Sequence, residues 1–182
     1  MCIRDRNTEI WSRGVNHEKF SKFNKLNLGK GPIFSYIGRV ATEKNVEAFL
    51  KIKLDGTKVV VGDGPQLNSL KKKYPDVNYV GYQHGQDLVD YYASSDVMVF
   101  PSLTDTFGNV ITEANATGTP VAAFNVIGPK DIIVNGINGY IGDDLKSNII
   151  NCINLDRTKC QEYTKKFNWK ECSRVFYDNI VA

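Results

Sequence analysis

The sequence predicts a doubly wound α/β domain, a parallel β-sheet of the Rossmann-like type with helices on both faces. From Pro32 onward, short apolar runs alternate with stretches in which apolar residues recur at helical spacing. The apolar runs are continuous, which is typical of parallel strands buried on both faces. The segments between them are short enough for right-handed βαβ units. Ligands of such sheets bind at the carboxyl ends of the strands, so we expect functional residues there.

Six strands are predicted in chain order, each from an apolar run bounded by turn residues. They cover residues 33–39, 57–61, 77–81, 96–102, 119–124 and 138–142. A helix is predicted after each of the first four strands, at residues 43–53, 66–74, 86–95 and 108–118, and a turn with a short helix is predicted after the fifth, at residues 128–136. Three further helical segments close the chain, and the last covers residues 169–181.

Single residues mark some of the element ends. In the first helix the helical spacing runs from Val46 to Lys53. Gly118 is expected to terminate the fourth helix. Pro120 lies at the beginning of the fifth strand, where a missing N–H costs least. The domain is therefore placed at residues 32–182, behind an irregular lead-in.

The lead-in, residues 1–31, is interpreted as a non-native leader followed by the remnant of an interdomain linker. Its first residues, MCIRDR, do not fit the pattern that follows and resemble a translated adaptor tail. We therefore expect that Met1 is not a natural start and that the natural protein extends further upstream.

Composition and charge narrow the class of protein. The 182 residues suit one domain, and 42% hydrophobic with 24% charged residues is close to globular averages. A net charge of +3 suits an anionic small ligand but not a nucleic-acid partner. No apolar run approaches the ~18 residues of a membrane span, and no signal-peptide pattern is present. We therefore expect a cytoplasmic protein.

The cysteines do not form a metal-binding pattern. Zinc ligands normally come in close-spaced pairs, and the four cysteines contain no C-x2-C pair. We therefore expect reduced thiols, no metal and no cofactor. The cysteines and the two histidines are Cys2, Cys152, Cys160, Cys172, His17 and His84.

Two glycine-containing turns follow the first two strands. The turn of residues 62–67 lacks the third glycine of the dinucleotide fingerprint, because Leu67 stands in its place. Gly64 then either supplies backbone freedom in a tight turn or lines a cleft. After the first strand, Gly38 precedes Arg39, and Lys44 follows five residues later. These cations either neutralise a bound diphosphate or are solvated surface charges.

The loop after the fourth strand leads into a helix that begins near Gly108. Asp105 lies at the mouth of this helix, Asn109 is expected to cap it, and its free N–H groups make an anion site. Glu113 lies more than one turn into the helix. The two acids either accept hydrogen bonds from sugar hydroxyls or are an N-terminal helix charge and a surface acid. Because these elements converge on one crevice, the sequence predicts binding of a nucleotide sugar.

Several blocks resemble the carboxyl-terminal, donor-binding domain of the retaining GT-B glycosyltransferases, specifically glycosyltransferase family four. They are YIGRVATEKNVEAFL, VVVGDGP, SDVMVFPSLTDTFGNVITEANATGTPVAA and NGINGYI, in the order of that family. WSRGVNHEKF is similar to the linker between the two domains, and FNWKECSRVFYDNI is similar to the closing helix. The resemblance implies the fold of one GT-B half.

The resemblance also implies roles for individual residues. Arg39 and Lys44 match the cations that stabilise the leaving diphosphate. Glu113 matches the acid that contacts the donor ribose, and Asp105 takes the place of the acid that holds the donor sugar. Tyr82 lies near the position that borders the base. The backbone that faces the sugar and phosphates is matched by Phe107, Gly108, Asn109 and Val110.

Two departures from the family pattern matter. Asp105 stands where the family more often has glutamate, so the resemblance does not identify the donor sugar. The acceptor-binding domain that should precede Trp11 is absent from the chain. We expect this fragment alone to bind a nucleotide weakly and to catalyse little.

The sequence therefore indicates part of an enzyme that transfers a sugar from a nucleoside diphosphate to a glycan or lipid acceptor, with retention. The alternatives are a nucleotide-sugar epimerase on the same scaffold and a non-catalytic binding module. The run of lysines at residues 71–73 suits either a solvated helix end, which is favoured, or contact with anionic lipid at the inner face of the membrane.

Overall fold

The computed structural model describes residues 12–181 of the chain. Six strands form one sheet in the order β3-β2-β1-β4-β5-β6, and every neighbouring pair is parallel. The predicted fold class is confirmed. The strands are β1 (Ile33–Ile37), β2 (Thr57–Val61), β3 (Asn78–Gly81), β4 (Val97–Phe100), β5 (Val121–Ala123) and β6 (Gly139–Ile141).

Helices cover both faces of this sheet. The lead-in contains the one-turn helix α1 (His17–Phe20), where the sequence predicted irregular chain. The segments predicted between and after the strands are helical. They are α2 (Val46–Leu50), α3 (Leu67–Lys73), α4 (Gly85–Ser94), α5 (Asn109–Ala116), α6 (Pro129–Ile132), α7 (Leu145–Cys152), α8 (Arg157–Thr164) and α9 (Trp169–Val181).

The helix predicted at residues 43–53 is wrong in its length. The structure has a 3-10 turn at Thr42–Lys44, then α2, so Lys53 lies outside the helix. Asn45 interrupts the helix because it adopts the left-handed conformation with φ of 51°, which asparagine tolerates better than most residues. Its side chain donates a hydrogen bond to the carbonyl oxygen of Pro101 at 3.1 Å. The interruption therefore ties the chain after β1 to the end of β4.

The core lies on both faces of the sheet, because successive strand residues point to opposite sides. Ile33 and Ile37 of β1 belong to one buried cluster, and Phe34 and Tyr36 belong to the other. The lead-in packs against the first cluster, to which Phe20 contributes. The leader residues MCIRDR, Cys2 and Trp11 lie outside the described residues.

The predicted end of α5 is confirmed. Gly118 has φ of +79°, and its N–H donates to the carbonyl oxygen of Asn115 at 2.9 Å. The N–H of Thr119 reaches back to Ala114 at the same distance, which satisfies another of the last carbonyl groups. The chain can then turn directly into β5, with Pro120 in the connection.

The turns after β1 and β2 are in direct backbone contact. The N–H of Gly38 donates to Val61, and the N–H of Val40 donates to Asp63, at 2.9 and 2.8 Å. A Cβ atom added to Gly62 would lie 1.9 Å from the carbonyl oxygen of Gly38. Glycine is therefore required at this position by space as well as by its φ of +138°.

We predict that Gly62→Ala lowers the free energy of unfolding by about 2–4 kcal/mol, because the new methyl group collides with backbone. Gly81→Ala is the matched control. Gly81 also has a positive φ, of +75°, but its added Cβ would meet nothing within 4 Å. The control should cost only about 1–2 kcal/mol. Urea denaturation of both variants measures the difference, and equal losses would contradict the close approach.

Candidate functional site

The candidate site is a crevice at the point where the strand order reverses, between β1 and β4. Two adjoining cavities lie there, of about 380 Å³ and about 460 Å³. Both are lined by Ile37, Gly38, Arg39 and Val110, so they form two halves of one crevice. The carboxyl ends of the strands at such a reversal are where doubly wound sheets bind ligands.

The crevice brings together most of the residues that the sequence predicted. Gly38, Arg39 and Val110 line both halves. The smaller cavity, called here the first cavity, is also lined by Lys44, Asp105, Phe107, Gly108 and Asn109. The second cavity is also lined by Tyr82 and Glu113. Gly64 lines neither cavity and instead packs against Val40, whose carbonyl oxygen would lie 2.3 Å from an added Cβ.

Lys44 and Asp105 form an ion pair. The resemblance assigned them to different parts of the donor, Lys44 to the diphosphate and Asp105 to the sugar. The Nζ atom of Lys44 lies 2.6 Å from an oxygen of Asp105, and their side chains are 28% and 18% exposed. Lys44 comes from the 3-10 turn after β1, and Asp105 comes from the loop after β4. The pair therefore bridges the two sides of the first cavity.

The side chain of Arg39 is held more loosely than that of Lys44. It pairs with Glu43 at 3.4 Å, and both side chains are largely exposed. Such exposed pairs contribute little free energy, so the guanidinium can leave its partner for a bound anion. Its backbone is fixed instead, because the hydroxyl of Tyr36 donates to the carbonyl oxygen of Arg39 at 2.6 Å. Burial, together with the charges of Asp105 and Glu43, raises the pKa of Tyr36 well above its usual value.

The expected cap of α5 is wrong in its residue. Gly108, with φ of +86°, is the N-cap, and Asn109 is the first helical residue. Asn109 therefore does not cap the helix with its side chain, and no side-chain hydrogen bond caps it. The N–H of Ile111 turns back to Gly108 at 2.9 Å. The preceding N–H groups, of Asn109 and Val110, have no partner within the helix, and both residues line the first cavity.

Glu113 is the partly buried acid of the second cavity. The hydroxyl of Tyr92, itself fully buried, donates to its Oε2 at 2.8 Å. Burial raises the pKa of Glu113, while the Tyr92 hydrogen bond and the charge of Lys19 partly lower it. The Tyr92 bond leaves the other carboxylate oxygen available to accept from a ligand.

An exposed aromatic pair closes the outer end of the second cavity. The rings of Tyr82 and His84 stack with their centroids 5.9 Å apart and an interplanar angle of 18°. Tyr82 is 73% exposed, so much of its side chain is open to solvent. A flat ligand could therefore extend this stack.

Sequence reasoning missed several residues that line the crevice. Arg13 and Lys19 come from the lead-in, where no periodic pattern fixes the path of the chain. Tyr36 of β1 and Tyr92 of α4 were not singled out from the sequence, and only their hydroxyl partners reveal a role beside the site. His84 was considered only as a metal ligand.

The described cysteines lie away from the crevice. Cys152, Cys160 and Cys172 are buried, and burial raises the pKa of Cys160 to about 11. Across residues 12–181, no group of three or more His, Cys, Asp or Glu side chains is arranged to hold a metal ion. None of the helices in this range has the length and apolarity needed to span a bilayer.

Comparisons with known proteins agree with the resemblance seen in the sequence. A family model described as glycosyl transferases group 1 matches residues 31–154. A GDP-mannose-dependent alpha-mannosyltransferase of Corynebacterium glutamicum is 36% identical over 143 residues, which is 73% of this chain and 35% of the relative. One of the same name from Mycobacterium tuberculosis is 35% identical over 72% of this chain and 37% of the relative. The chain thus spans about a third of the length of these relatives.

The fold also matches solved structures. The crystal structure of Anabaena Alr3699/HepE in complex with UDP superposes with a TM-score of 0.74. The match covers 92% of this chain and 56% of that chain, at 17% sequence identity, and it bears on the fold.

We predict that Tyr92→Phe raises the pKa of Glu113 further, because it removes the hydrogen bond that lowers it. At pH 7 the buried carboxylate then loses a partner, and the free energy of unfolding should fall by about 1–3 kcal/mol. The loss should shrink as the pH falls through the raised pKa, because protonation removes the buried charge.

The pKa is measured by NMR titration of carboxyl-labelled glutamate. Tyr36→Phe is the matched control, since it removes a buried hydroxyl that donates to Arg39 and not to Glu113. A Glu113 pKa that responds equally to both changes, or to neither, would contradict the role of Tyr92.

Proposed function

Because the chain belongs to the glycosyl transferases group 1 family, we propose that its crevice binds the nucleoside-diphosphate sugar from which the whole protein transfers a sugar. The observation that carries the proposal is the division of the crevice into two cavities joined at Gly38 and Arg39. A nucleotide sugar has the same arrangement, with a nucleoside and a sugar joined by a diphosphate.

The second cavity suits the nucleoside. Glu113 has a carboxylate oxygen available to accept hydrogen bonds from ribose hydroxyls, and Tyr92 fixes the orientation of that carboxylate. The exposed ring of Tyr82 offers a surface on which a base can stack, with His84 behind it. Stacking on an aromatic ring tolerates every nucleobase, so this contact does not identify the base of the nucleotide.

The junction and the first cavity suit the diphosphate and the sugar. Arg39 can bind two phosphate oxygens with its planar fork, and the N–H groups at the start of α5 add uncharged donors. Asp105 accepts from sugar hydroxyls, and Lys44 holds Asp105 in place while presenting its charge to the cavity. Phe107 is steadied by an edge-to-face contact with Phe167, whose ring centroid lies 6.3 Å away.

The chemistry required of these groups is electrostatic. As the bond to the anomeric carbon breaks, negative charge builds on the departing diphosphate, and preorganised cations and N–H donors stabilise it. Arg39, Lys44 and the α5 N-terminus can do this without a metal ion. Absence of a metal, transfer with retention and a glycan or lipid acceptor are all part of the proposal. The acceptor site is proposed to lie outside this chain, at the inner face of the membrane where the acceptor is a lipid.

The names of similar proteins leave the nucleotide open. The mannosyltransferases are named for GDP-mannose, whereas the Anabaena structure holds UDP. The family match favours sugar transfer over epimerisation, and no contact in the crevice favours the epimerase. The test must therefore include more than one base.

We predict that the chain binds one of UDP, GDP or ADP with equal affinity in magnesium and in EDTA, because cations of the protein neutralise the phosphates. Isothermal titration calorimetry measures this. Glu113→Ala should weaken binding at least about tenfold through the lost ribose hydrogen bonds, and Arg39→Ala should do so through the lost phosphate contact. Glu162→Ala, an exposed acid on α8 outside both cavities, is the control. Failure of the folded chain to bind any of the three, or binding that requires magnesium, would refute the proposed site.

In the full-length protein, we predict that Arg39→Ala lowers kcat by about a hundredfold or more, the usual effect of removing one transition-state donor. Arg174→Ala is the matched control, because Arg174 lies on α9 outside both cavities and pairs with Glu171 and Asp178. Sugar transfer is followed with the nucleotide that binds in calorimetry. Normal turnover of the Arg39 variant would exclude this residue from the reaction.

A further inference from the structure

The segment of residues 12–20, called here the strap, lines both cavities of the crevice and is anchored to α9 and to the residues just before it. The N–H of Val15 donates to the carbonyl oxygen of Phe167 at 2.8 Å. The thiol of Cys172 donates to the carbonyl oxygen of Ser12 at 2.7 Å. These two bonds fix the backbone on both sides of Arg13.

Packing holds the strap as closely as the hydrogen bonds do. A Cβ atom added to Gly14 would lie 2.5 Å from the backbone nitrogen of Trp169, so the strap and the start of α9 are in direct backbone contact. At its other end, Phe20 is buried and meets Tyr92 edge to face, with centroids 6.0 Å apart. The strap is therefore a fixed wall of the domain.

This wall carries two cations into the crevice. Arg13 lines the first cavity together with Arg39 and Lys44. Lys19 lines the second cavity together with Glu113. One short segment thus faces both halves of the crevice, and its arginine lies in the half where the sugar and the far end of the diphosphate are placed.

Arg13 differs from the other two cations of the first cavity in its ion pairing. Arg39 pairs with Glu43, and Lys44 pairs with Asp105. Within the described part of the chain, no acidic side chain pairs with Arg13. An anion that enters the first cavity can therefore bind Arg13 without displacing a carboxylate.

We propose that Arg13 binds the distal phosphate of the donor, so that the strap is part of the donor site. The inference rests on the proposed function and adds a phosphate-binding residue to it. A guanidinium suits this place because its planar fork can donate two hydrogen bonds to phosphate oxygens. Lys19 lies in the nucleoside half and does not contribute to discrimination between one phosphate and two.

The test compares nucleoside diphosphates with nucleoside monophosphates. UDP, UMP, GDP, GMP, ADP and AMP are titrated by NMR into the chain and into its Arg13→Gln, Arg13→Lys and Lys19→Gln variants. Lys159→Gln is the outer control, because Lys159 is exposed on α8 and lines neither cavity. The quantity of interest is the ratio of diphosphate to monophosphate affinity for the base that binds.

Arg13→Gln should lower the affinity for the diphosphate about tenfold or more, the effect of losing a charged hydrogen bond, and leave the monophosphate affinity unchanged. Arg13→Lys should recover part of the loss, since it keeps the charge without the fork. Lys19→Gln and Lys159→Gln should leave the ratio unchanged.

The outcomes separate this inference from the function on which it rests. If the wild-type chain prefers the diphosphate and Arg13→Gln keeps the same ratio, the role of Arg13 is refuted and the donor site stands. Equal losses for diphosphate and monophosphate in Arg13→Gln also refute it. If the wild-type chain binds none of the six nucleotides, both the role of Arg13 and the proposed donor site are refuted.

Discussion

The site depends on the backbone contact between the turns that follow β1 and β2. Gly38 and Gly62 approach so closely that a Cβ atom on Gly62 would collide with the carbonyl oxygen of Gly38. Hydrogen bonds from Gly38 to Val61 and from Val40 to Asp63 continue the sheet past its last strand residues. The chain after β1 is thereby carried across the carboxyl edge of the sheet, which places Arg39 at the junction of the two cavities.

The same path of the chain after β1 brings Lys44 and Asp105 of the first cavity together. Asn45 takes a left-handed conformation and bonds to Pro101, which joins the segment after β1 to the end of β4. Lys44 precedes Asn45, and Asp105 follows Pro101 by four residues, so the 2.6 Å ion pair lies close to this link. One asparagine therefore shortens the predicted helix and also sets the geometry of the site.

Features that depend on local sequence pattern could be predicted from the sequence. Continuous apolar runs located all six strands, and the order of glycines and charges located the crevice. Contacts between distant segments could not be predicted in the same way. The length of the first helix was wrong because a tertiary bond to Pro101 overrides helix propensity at Asn45. The strap was missed because its path is set by Phe167 and Cys172, about 150 residues away in the chain.

The orientation of Glu113 depends on residues that lie well away from the proposed ligand. Its carboxylate is oriented by Tyr92 of α4, and a tyrosine hydroxyl can be aimed only if its helix is fixed. The carboxyl end of α4 is fixed by Arg157, which donates to the carbonyl oxygens of Ala93 and Ser95 at 2.8 and 2.7 Å. Burial lowers the pKa of this guanidinium, so its charge is retained at a desolvation cost that those carbonyl groups offset. Arg157 of α8 thus helps to position Glu113, the acid proposed to bind the ribose, although the two side chains are not in contact.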